Sequence, residues 1–235
     1  MEFVGREKEI EQIRESLEEG RNVIISGKYG IGRTSLAKHI AKAMKDQWRF
    51  IFVDFSKTPG SICHYLLVEL FPIHAFDHKH IKYRSSRFRI VTLELKDEKK
   101  HVLVFDNLAK LTSPKNDLLR YLTWEKRFQF IVIVESFLPS DDLFLLRVRL
   151  DPAIIVNLER LCMGSVMRFF RSLSEEYDFH WTENHIKNLA ETTGGYPLRM
   201  REVALREIAR INYGRDKEMR EKRDNFAKSD RLWNK

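Results

Sequence analysis

Short apolar runs alternate with amphipathic stretches over the first two thirds of the chain, and this alternation strongly limits the folds open to it. Five runs are almost continuously apolar, as strands buried on both faces are, and they cover residues 22–26, 49–55, 101–105, 128–134 and 153–158. Three stretches between or before them have helical spacing, at 7–19, 34–45 and 59–70. Strands alternating with helices predict a three-layer α/β sandwich around a parallel sheet.

The pattern changes to helices alone after residue 158. We predict them at about 164–177, 182–192 and 198–211. The sequence therefore predicts an α/β domain over 1–160, a small all-helical lid domain over 161–213 and a polar, mildly basic tail over 214–235. The tail is either a solvated, frayed helix, which we favour, or a docking segment that orders on a partner.

Composition excludes several classes of protein. The 235 residues are 43% hydrophobic, which is too many for a wholly disordered chain. Two cysteines cannot build a disulfide scaffold and fit a reducing compartment. No apolar run approaches the ~20 residues of a membrane helix, and the N-terminus is too polar for a signal peptide. We expect a cytoplasmic protein without a membrane partner, and its net charge of +8 indicates an anionic partner.

A glycine-rich turn follows the first apolar run and precedes a helix. It matches the phosphate-binding P-loop template of Gly, four residues, Gly, Lys and Ser or Thr at all but one position. Glycines let successive N–H groups face a phosphate, and the helix start adds positive potential. Thr34 is the predicted Mg²⁺ ligand of the loop. The candidate nucleotide-binding residues here are Gly27, Lys28, Tyr29, Gly30, Ile31, Gly32, Arg33, Thr34 and Ser35.

Arg33 is the departure from the template, because it stands where the P-loop has lysine. Lysine is a compact point charge that reaches the β- and γ-phosphates, whereas arginine is longer, planar and forked. We therefore expect phosphate binding to survive the exchange and hydrolysis to suffer. Lys28 brings a second cation to the loop, either as a phosphate ligand or as a solvated residue.

Polar residues at two strand ends are the candidate catalytic groups. Asp106 follows four apolar residues of the third run, which is the Walker-B pattern and predicts an Mg²⁺ partner at the carboxyl end of a parallel strand. Asn107 stands where many ATPases have a glutamate base, and an amide cannot accept a proton in that role. Glu135 and Ser136 end the fourth run, where a polar side chain can reach the γ-phosphate or the attacking water.

Arg147 and Arg149 precede the fifth run and are candidate arginine fingers. An arginine there is able to reach the nucleotide of a neighbouring subunit. Two exposed arginines with no such role are the alternative, which we favour on sequence alone.

The densest positive segment is 79–89, with five cations and no acid among its eleven residues and two aromatic residues interleaved. Cations supply phosphate contacts, and aromatic rings stack on unpaired bases. The segment is therefore a candidate nucleic-acid interface, or else a basic helix face with its aromatic residues in the core. The candidate contacts are Lys79, Lys82, Arg84, Arg87 and Arg89.

These motifs together resemble those of AAA+ ATPases, and most of all the STAND and archaeal-ATPase branch related to origin-recognition ATPases. The resemblance rests on four segments in family order, at 3–7, 27–34, 106–107 and 194–197. It implies a P-loop NTPase fold, with Phe3 and Val4 near the adenine and with the turn before Pro197 sensing nucleotide in the lid. It also implies that ATP binding is coupled to assembly.

The sequence thus predicts an ATP- and Mg²⁺-binding switch protein whose nucleotide state controls oligomerisation and a partner. ATP and ADP are the expected ligands, a homo-oligomer or larger assembly is the expected state, and DNA is the favoured partner, in replication or transposition. Hydrolysis is expected to be weak or absent, and the enzyme assignment leans to an impaired ATPase. The alternative is a non-catalytic, degenerate ATPase that acts as a scaffold or DNA-binding module.

Overall fold

A parallel sheet between helices forms the larger part of the structure, a computed structural model that describes residues 3–71, 82–95 and 98–211. Within those residues the sheet has five strands, β1 (Asn22–Gly27), β2 (Trp48–Asp54), β3 (Lys100–Leu108), β4 (Gln129–Val134) and β5 (Ala153–Leu158). The helices of this part are α1 (Glu7–Glu18), α2 (Arg33–Ala43), α3 (Pro59–Leu70), α4 (Tyr83–Thr92), α5 (Ser113–Trp124) and α6 (Ser140–Arg149).

The strand order β2-β3-β4-β1-β5 places the first strand between the last two. Every pairing is parallel, and Ile25 of β1 lies opposite Ile133 of β4 and Val156 of β5. On the other side of the sheet, Asp54 of β2 lies opposite Asp106 of β3. Because all the strands are parallel, their carboxyl ends lie along one edge of the sheet. The glycine-rich loop follows β1 at this same edge.

The two faces of the sheet are covered by different helices. On one face α3, α4, α5 and α6 form a single apolar cluster with strand residues that include Ile24, Leu103 and Phe105. Helices α1 and α2 contact β1 as well but contribute nothing to this cluster, so they cover the opposite face. The predicted three-layer α/β fold is confirmed.

A second compact unit is helical and contains α7 (Met163–Glu176), α8 (Glu183–Thr193) and helical residues 197–211. The chain divides between Gly5 and Arg6 and between Glu159 and Arg160, and residues 3–5 belong to the helical unit. Val4, Phe170 and Ile186 are buried in its apolar core. The predicted tail over 214–235 lies outside the described residues, and the domain limits of the sequence analysis remain a prediction.

Two helices were not expected from the sequence. Helix α5 begins at a Ser-Pro pair and buries three leucines, whereas α6 buries only Leu146, so the apolar periodicity of α6 is weak. Arg147 and Arg149, which precede the fifth run, lie on the last turn of α6. None of the helices in the described part of the chain combines the length and apolar character needed to cross a bilayer.

Candidate nucleotide-binding site

The loop between β1 and α2 has the backbone of a phosphate cradle. Gly30 and Gly32 have φ angles of 77° and 97°, in the left-handed region that favours glycine. A Cβ on Gly27 would lie 2.8 Å from Cγ2 of Ile31 and 3.1 Å from the carbonyl oxygen of Leu158, so a larger residue does not fit. Gly32 caps α2 without a side-chain hydrogen bond, which leaves the first N–H groups of the helix to an external acceptor.

Thr34 and Asp106 face one another at the end of this loop. Oγ1 of Thr34 donates a hydrogen bond of 2.8 Å to Oδ2 of Asp106, although the two residues are 72 positions apart. A hydroxyl and a carboxylate are ligand types that Mg²⁺ accepts, and the ion takes its remaining oxygens from phosphate and water. Among the described residues no three His, Cys, Asp or Glu side chains are arranged to hold a metal alone. The pair therefore fits Mg²⁺ that arrives with a nucleotide.

Arg33 extends from the loop to the carboxyl end of β4. Its Nη2 lies 2.7 Å from Oε2 of Glu135, and its Nη1 donates to the carbonyl oxygen of Val134. The side chains of Arg33 and Glu135 are only 7% and 16% exposed. Glu135, a candidate catalytic residue from the sequence, is thus the ion-pair partner of the arginine that replaces the P-loop lysine.

The remaining loop residues are placed differently from Arg33. Lys28, Tyr29 and Ser35 are exposed, and Ile31 is buried beneath the loop. Ser136 is also exposed, in the turn that follows β4. Lys28 is therefore the cation of this loop whose side chain lies in solvent.

Asn107 connects Asp106 to a carboxylate that sequence reasoning missed. Its φ of 64° is in the left-handed region that asparagine tolerates, and its Nδ2 donates a 3.3 Å hydrogen bond to Oδ1 of Asp54. Hydrogen bonding with Ser56 lowers the pKa of Asp54, and Asn107 and Lys57 act in the same direction. Asp54 is the last residue of β2 and the one acidic residue of the second apolar run, and that position was the signal that could have found it.

Arg6 is the second residue that sequence reasoning left without a role. Its side chain is buried, and its Nη2 donates to the carbonyl oxygen of Ile31 at 3.4 Å and to that of Glu159. Its Nη1 pairs with Glu9 at 2.9 Å. Arg6 therefore joins the start of α1 to the phosphate loop and to the end of β5.

Three candidate residues belong to the helical unit. Val4 is buried there, whereas Phe3 and Pro197 are half-buried. The turn before Pro197 is tight, because a Cβ on Gly195 would lie 2.2 Å from the carbonyl oxygen of Leu161, and the N–H of Leu161 donates to the carbonyl of Gly195. Glycine is required at this turn.

The basic segment is only partly free in the structure. Lys79 lies outside the described residues, whereas Lys82 and Arg84 are exposed at the start of α4. Arg87 is not free for a phosphate, because its guanidinium stacks on Tyr121 with 4.2 Å to the ring centroid. Arg89 is half-buried.

The two candidate arginine fingers also differ from each other. Nε of Arg149 donates a 2.9 Å hydrogen bond to Oδ1 of Asn116, which fixes it against α5. Arg147 is exposed, between the exposed side chains of Phe144 and Val148 on the same helix.

A glycine cradle at the carboxyl end of a parallel strand, with a threonine facing a carboxylate of the sheet, defines a P-loop nucleotide-binding protein. The family model described as AAA ATPase domain matches residues 2–134, which is more than half of the chain. The chain belongs to this family. No curated protein matches the sequence significantly.

Solved structures share the fold at low sequence identity. The chain is similar to the Aeropyrum pernix ORC1 protein in complex with DNA, at 13% identity and a TM-score of 0.60, over 85% of this chain and 58% of that one. It is also similar to the Aeropyrum pernix ORC2 protein in ADPNP-ADP complexes, at 17% identity and a TM-score of 0.60, over 86% of this chain and 61% of that one. The third similar structure is the Thermotoga maritima RuvB Holliday junction branch migration motor, at 18% identity and a TM-score of 0.51, over 87% of this chain and 60% of that one. The chain spans about three fifths of the length of these proteins.

Proposed function

We propose that this chain is an ATP-binding switch protein with weak or absent hydrolysis. The observation that carries the proposal is the 2.8 Å contact between Thr34 and Asp106 behind the glycine cradle. The backbone of residues 27–35 would hold the phosphates, and Thr34 and Asp106 would hold Mg²⁺, which neutralises phosphate charge when bound. The structure of the similar ORC2 protein was solved in ADPNP-ADP complexes, which is consistent with nucleotide binding by a protein of this fold.

We place this switch protein in the STAND-like branch because of the turn at 194–197. Gly195 is packed against the backbone of Leu161, so a movement of the chain after Pro197 acts directly on the start of the helical unit. In this proposal residues 161–213 form the lid, Phe3 and Val4 lie near the adenine, and the turn that contains Pro197 senses the nucleotide. The domain limits 1–160, 161–213 and 214–235 belong to the same proposal.

Two features support weak or absent hydrolysis. Arg33 is paired with Glu135, and Asn107 offers no proton-accepting carboxylate next to Asp106. Both favour the alternative of a non-catalytic module that still binds nucleotide. A measurement of ATP turnover distinguishes a weak ATPase from a non-catalytic module. A weak ATPase releases phosphate at a rate proportional to the protein concentration, and a non-catalytic module releases none.

Direct titration with nucleotide tests the proposal. We expect ATP and ADP to bind with Mg²⁺ and AMP to bind far more weakly, because the cradle holds the outer phosphates. Isothermal titration calorimetry with a non-hydrolysable ATP analogue measures this. Affinity that is unchanged from ATP to AMP would contradict the assignment of the loop.

An assembly is the proposed response to nucleotide. Phe144 and Val148 are 71% and 53% exposed on α6 and flank Arg147, so this face offers apolar area together with a free cation. Arg147 is the better candidate for an arginine finger, since Asn116 already holds Arg149. A homo-oligomer would place Arg147 at the nucleotide of the next subunit.

DNA is the proposed macromolecular partner. The similar ORC1 protein was solved in complex with DNA, and in this chain Lys82 and Arg84 are exposed beside Phe88, which is 58% exposed. The contacts proposed are therefore Lys82 and Arg84, while Arg87 serves to hold α4 against α5 through Tyr121.

Replacing both Lys82 and Arg84 by alanine is expected to weaken DNA binding at low salt. The slope of log affinity against log salt should fall by about 2, since each phosphate contact contributes roughly 1. Fluorescence anisotropy with labelled DNA measures both quantities. Arg120→Ala on α5 is the matched control and should leave the slope unchanged; an unchanged slope in the double variant rejects this interface.

A further inference from the structure

The ion pair between Arg33 and Glu135 has a consequence for nucleotide binding. Both terminal nitrogens of the guanidinium are engaged at the end of β4, one by Glu135 and one by the carbonyl oxygen of Val134. An arginine side chain that is 7% exposed, with its guanidinium paired with a carboxylate, has little free charge to offer a phosphate. The cation at the lysine position of the loop is therefore compensated within the protein.

A phosphate at the loop and the carboxylate of Glu135 can each pair with the guanidinium of Arg33. Both are anions that accept charge-assisted hydrogen bonds from a guanidinium. The pair lies largely out of water, so screening by solvent is weak and the competition is strong. Gly32 and Thr34, the neighbours of Arg33, belong to the phosphate loop itself. The aliphatic part of the Arg33 side chain therefore starts at the proposed phosphate site.

We propose that Glu135 is a positioning residue that holds Arg33 on β4 when no nucleotide is bound, and that the phosphates of the nucleotide compete with Glu135 for this guanidinium. The inference rests on the proposed function, because it needs nucleotide at the loop. It goes beyond that function by naming the group that sets the affinity of the loop.

The competition also gives nucleotide a route to the rest of the α/β unit. The N–H of Glu135 donates to the carbonyl of Leu108 at the end of β3, and its own carbonyl accepts from the N–H of Leu138. Residues 135–139 lead directly into α6, which carries Arg147. Release of the Glu135 side chain leaves these backbone hydrogen bonds in place and removes the side-chain tie between the phosphate loop and the segment that leads into α6.

A double-mutant cycle on nucleotide affinity tests the competition. Glu135→Gln removes the competing charge at constant shape, and we expect it to tighten binding of a non-hydrolysable ATP analogue by about tenfold, within the usual range of coupling between two sites. In an Arg33→Met background, which keeps an apolar stem and removes the guanidinium, the same exchange should tighten binding much less, because it removes a repelling charge but releases no guanidinium. Calorimetric titration of the four proteins gives the coupling.

Glu159→Gln is the matched control for charge alone. Glu159 follows β5, the other neighbour of β1, and its side chain is exposed and outside this ion pair. Its exchange should change affinity less than twofold. Tightening by Glu135→Gln that is undiminished without Arg33, or a weakened affinity, would overturn the proposal and leave the nucleotide assignment standing.

A second readout needs no nucleotide. In urea unfolding of the ligand-free proteins, Glu135→Gln should lower the midpoint when Arg33 is present and raise it in Arg33→Met, where the half-buried carboxylate has lost its cation. An uncoupled result shows that the pair does not hold Arg33 and overturns the proposal. If the pair is coupled but none of the four proteins binds nucleotide, both the proposed function and this inference fail.

Discussion

Asp106→Asn is expected to remove the Mg²⁺-dependent part of ATP affinity. Oδ2 of the carboxylate accepts the hydroxyl hydrogen of Thr34 at 2.8 Å, and Oδ1 accepts the N–H of Asn107 at 2.8 Å. An asparagine of the same shape keeps the bond from Asn107 through its single oxygen, and its NH2 group donates to the hydroxyl oxygen of Thr34. The exchange therefore removes the charge that attracts the ion, reverses one hydrogen bond and keeps the shape of the site. We expect affinity with Mg²⁺ to fall at least about tenfold (~1.4 kcal/mol) and affinity in chelator to stay unchanged.

Calorimetric titration with a non-hydrolysable analogue, in Mg²⁺ and in chelator, measures this difference. Asp54→Asn is the matched control, because Asp54 ends the strand next to β3 and lies opposite Asp106 in the register, one strand further from the loop. It should retain the effect of Mg²⁺. Equal losses in the two variants would mean that the ion responds to the general charge of this edge rather than to Asp106.

Phe105→Ala is expected to lower the free energy of unfolding by about 4 kcal/mol, the usual cost of removing a buried phenylalanine. Phe105 is fully buried, stacks on Phe55 with ring centroids 4.5 Å apart, and packs against Phe130 at 5.8 Å. Because these rings belong to three segments of the sheet core, the cavity has little freedom to collapse.

Urea unfolding followed by circular dichroism measures this loss, provided the dependence on urea concentration keeps its slope. Phe137→Ala is the control at the same residue type, since Phe137 is 69% exposed and should cost less than about 0.5 kcal/mol. A loss below about 1.5 kcal/mol for Phe105→Ala would show that the stack contributes little beyond ordinary contact.

The stack also bears on the site. Phe55 follows Asp54 and Phe105 precedes Asp106, and the N–H of Phe55 donates to the carbonyl oxygen of Asp106 at 2.8 Å. The two carboxylates at the edge of the sheet are thus held at a set separation by aromatic packing beneath them.

The sheet and the loop were predictable because their patterns are strong. All five strands follow continuous apolar runs, and the cradle follows a glycine spacing that few other structures require. Helices α5 and α6 were missed for different reasons. Helix α6 buries only Leu146, so its sequence carries almost no apolar periodicity. Helix α5 buries Leu118, Leu119 and Leu122, so its helical spacing was present in the sequence and could have been found.

The ion pair of Arg33 could not be predicted from the sequence. Arg33 and Glu135 are 102 positions apart, and they meet because β4 is the neighbour of β1 in the strand order. Each residue was named as a candidate, but a strand order that places the fourth strand beside the first is not encoded in any local pattern. The link between Asp54 and Asn107 could not be predicted for the same reason, since the two residues lie on neighbouring strands.

The position of β1 between β4 and β5 determines when the loop acquires its support during synthesis. Val23, Ile24 and Ile25 are fully buried in the finished sheet, yet both neighbouring strands are made more than a hundred residues later. At the ribosomal rate of roughly 5–20 residues per second, this strand waits on the order of ten seconds for its first partner. Until then it is an apolar segment with two open edges, and the nascent chain carries an aggregation risk that the arrival of β4 and β5 removes.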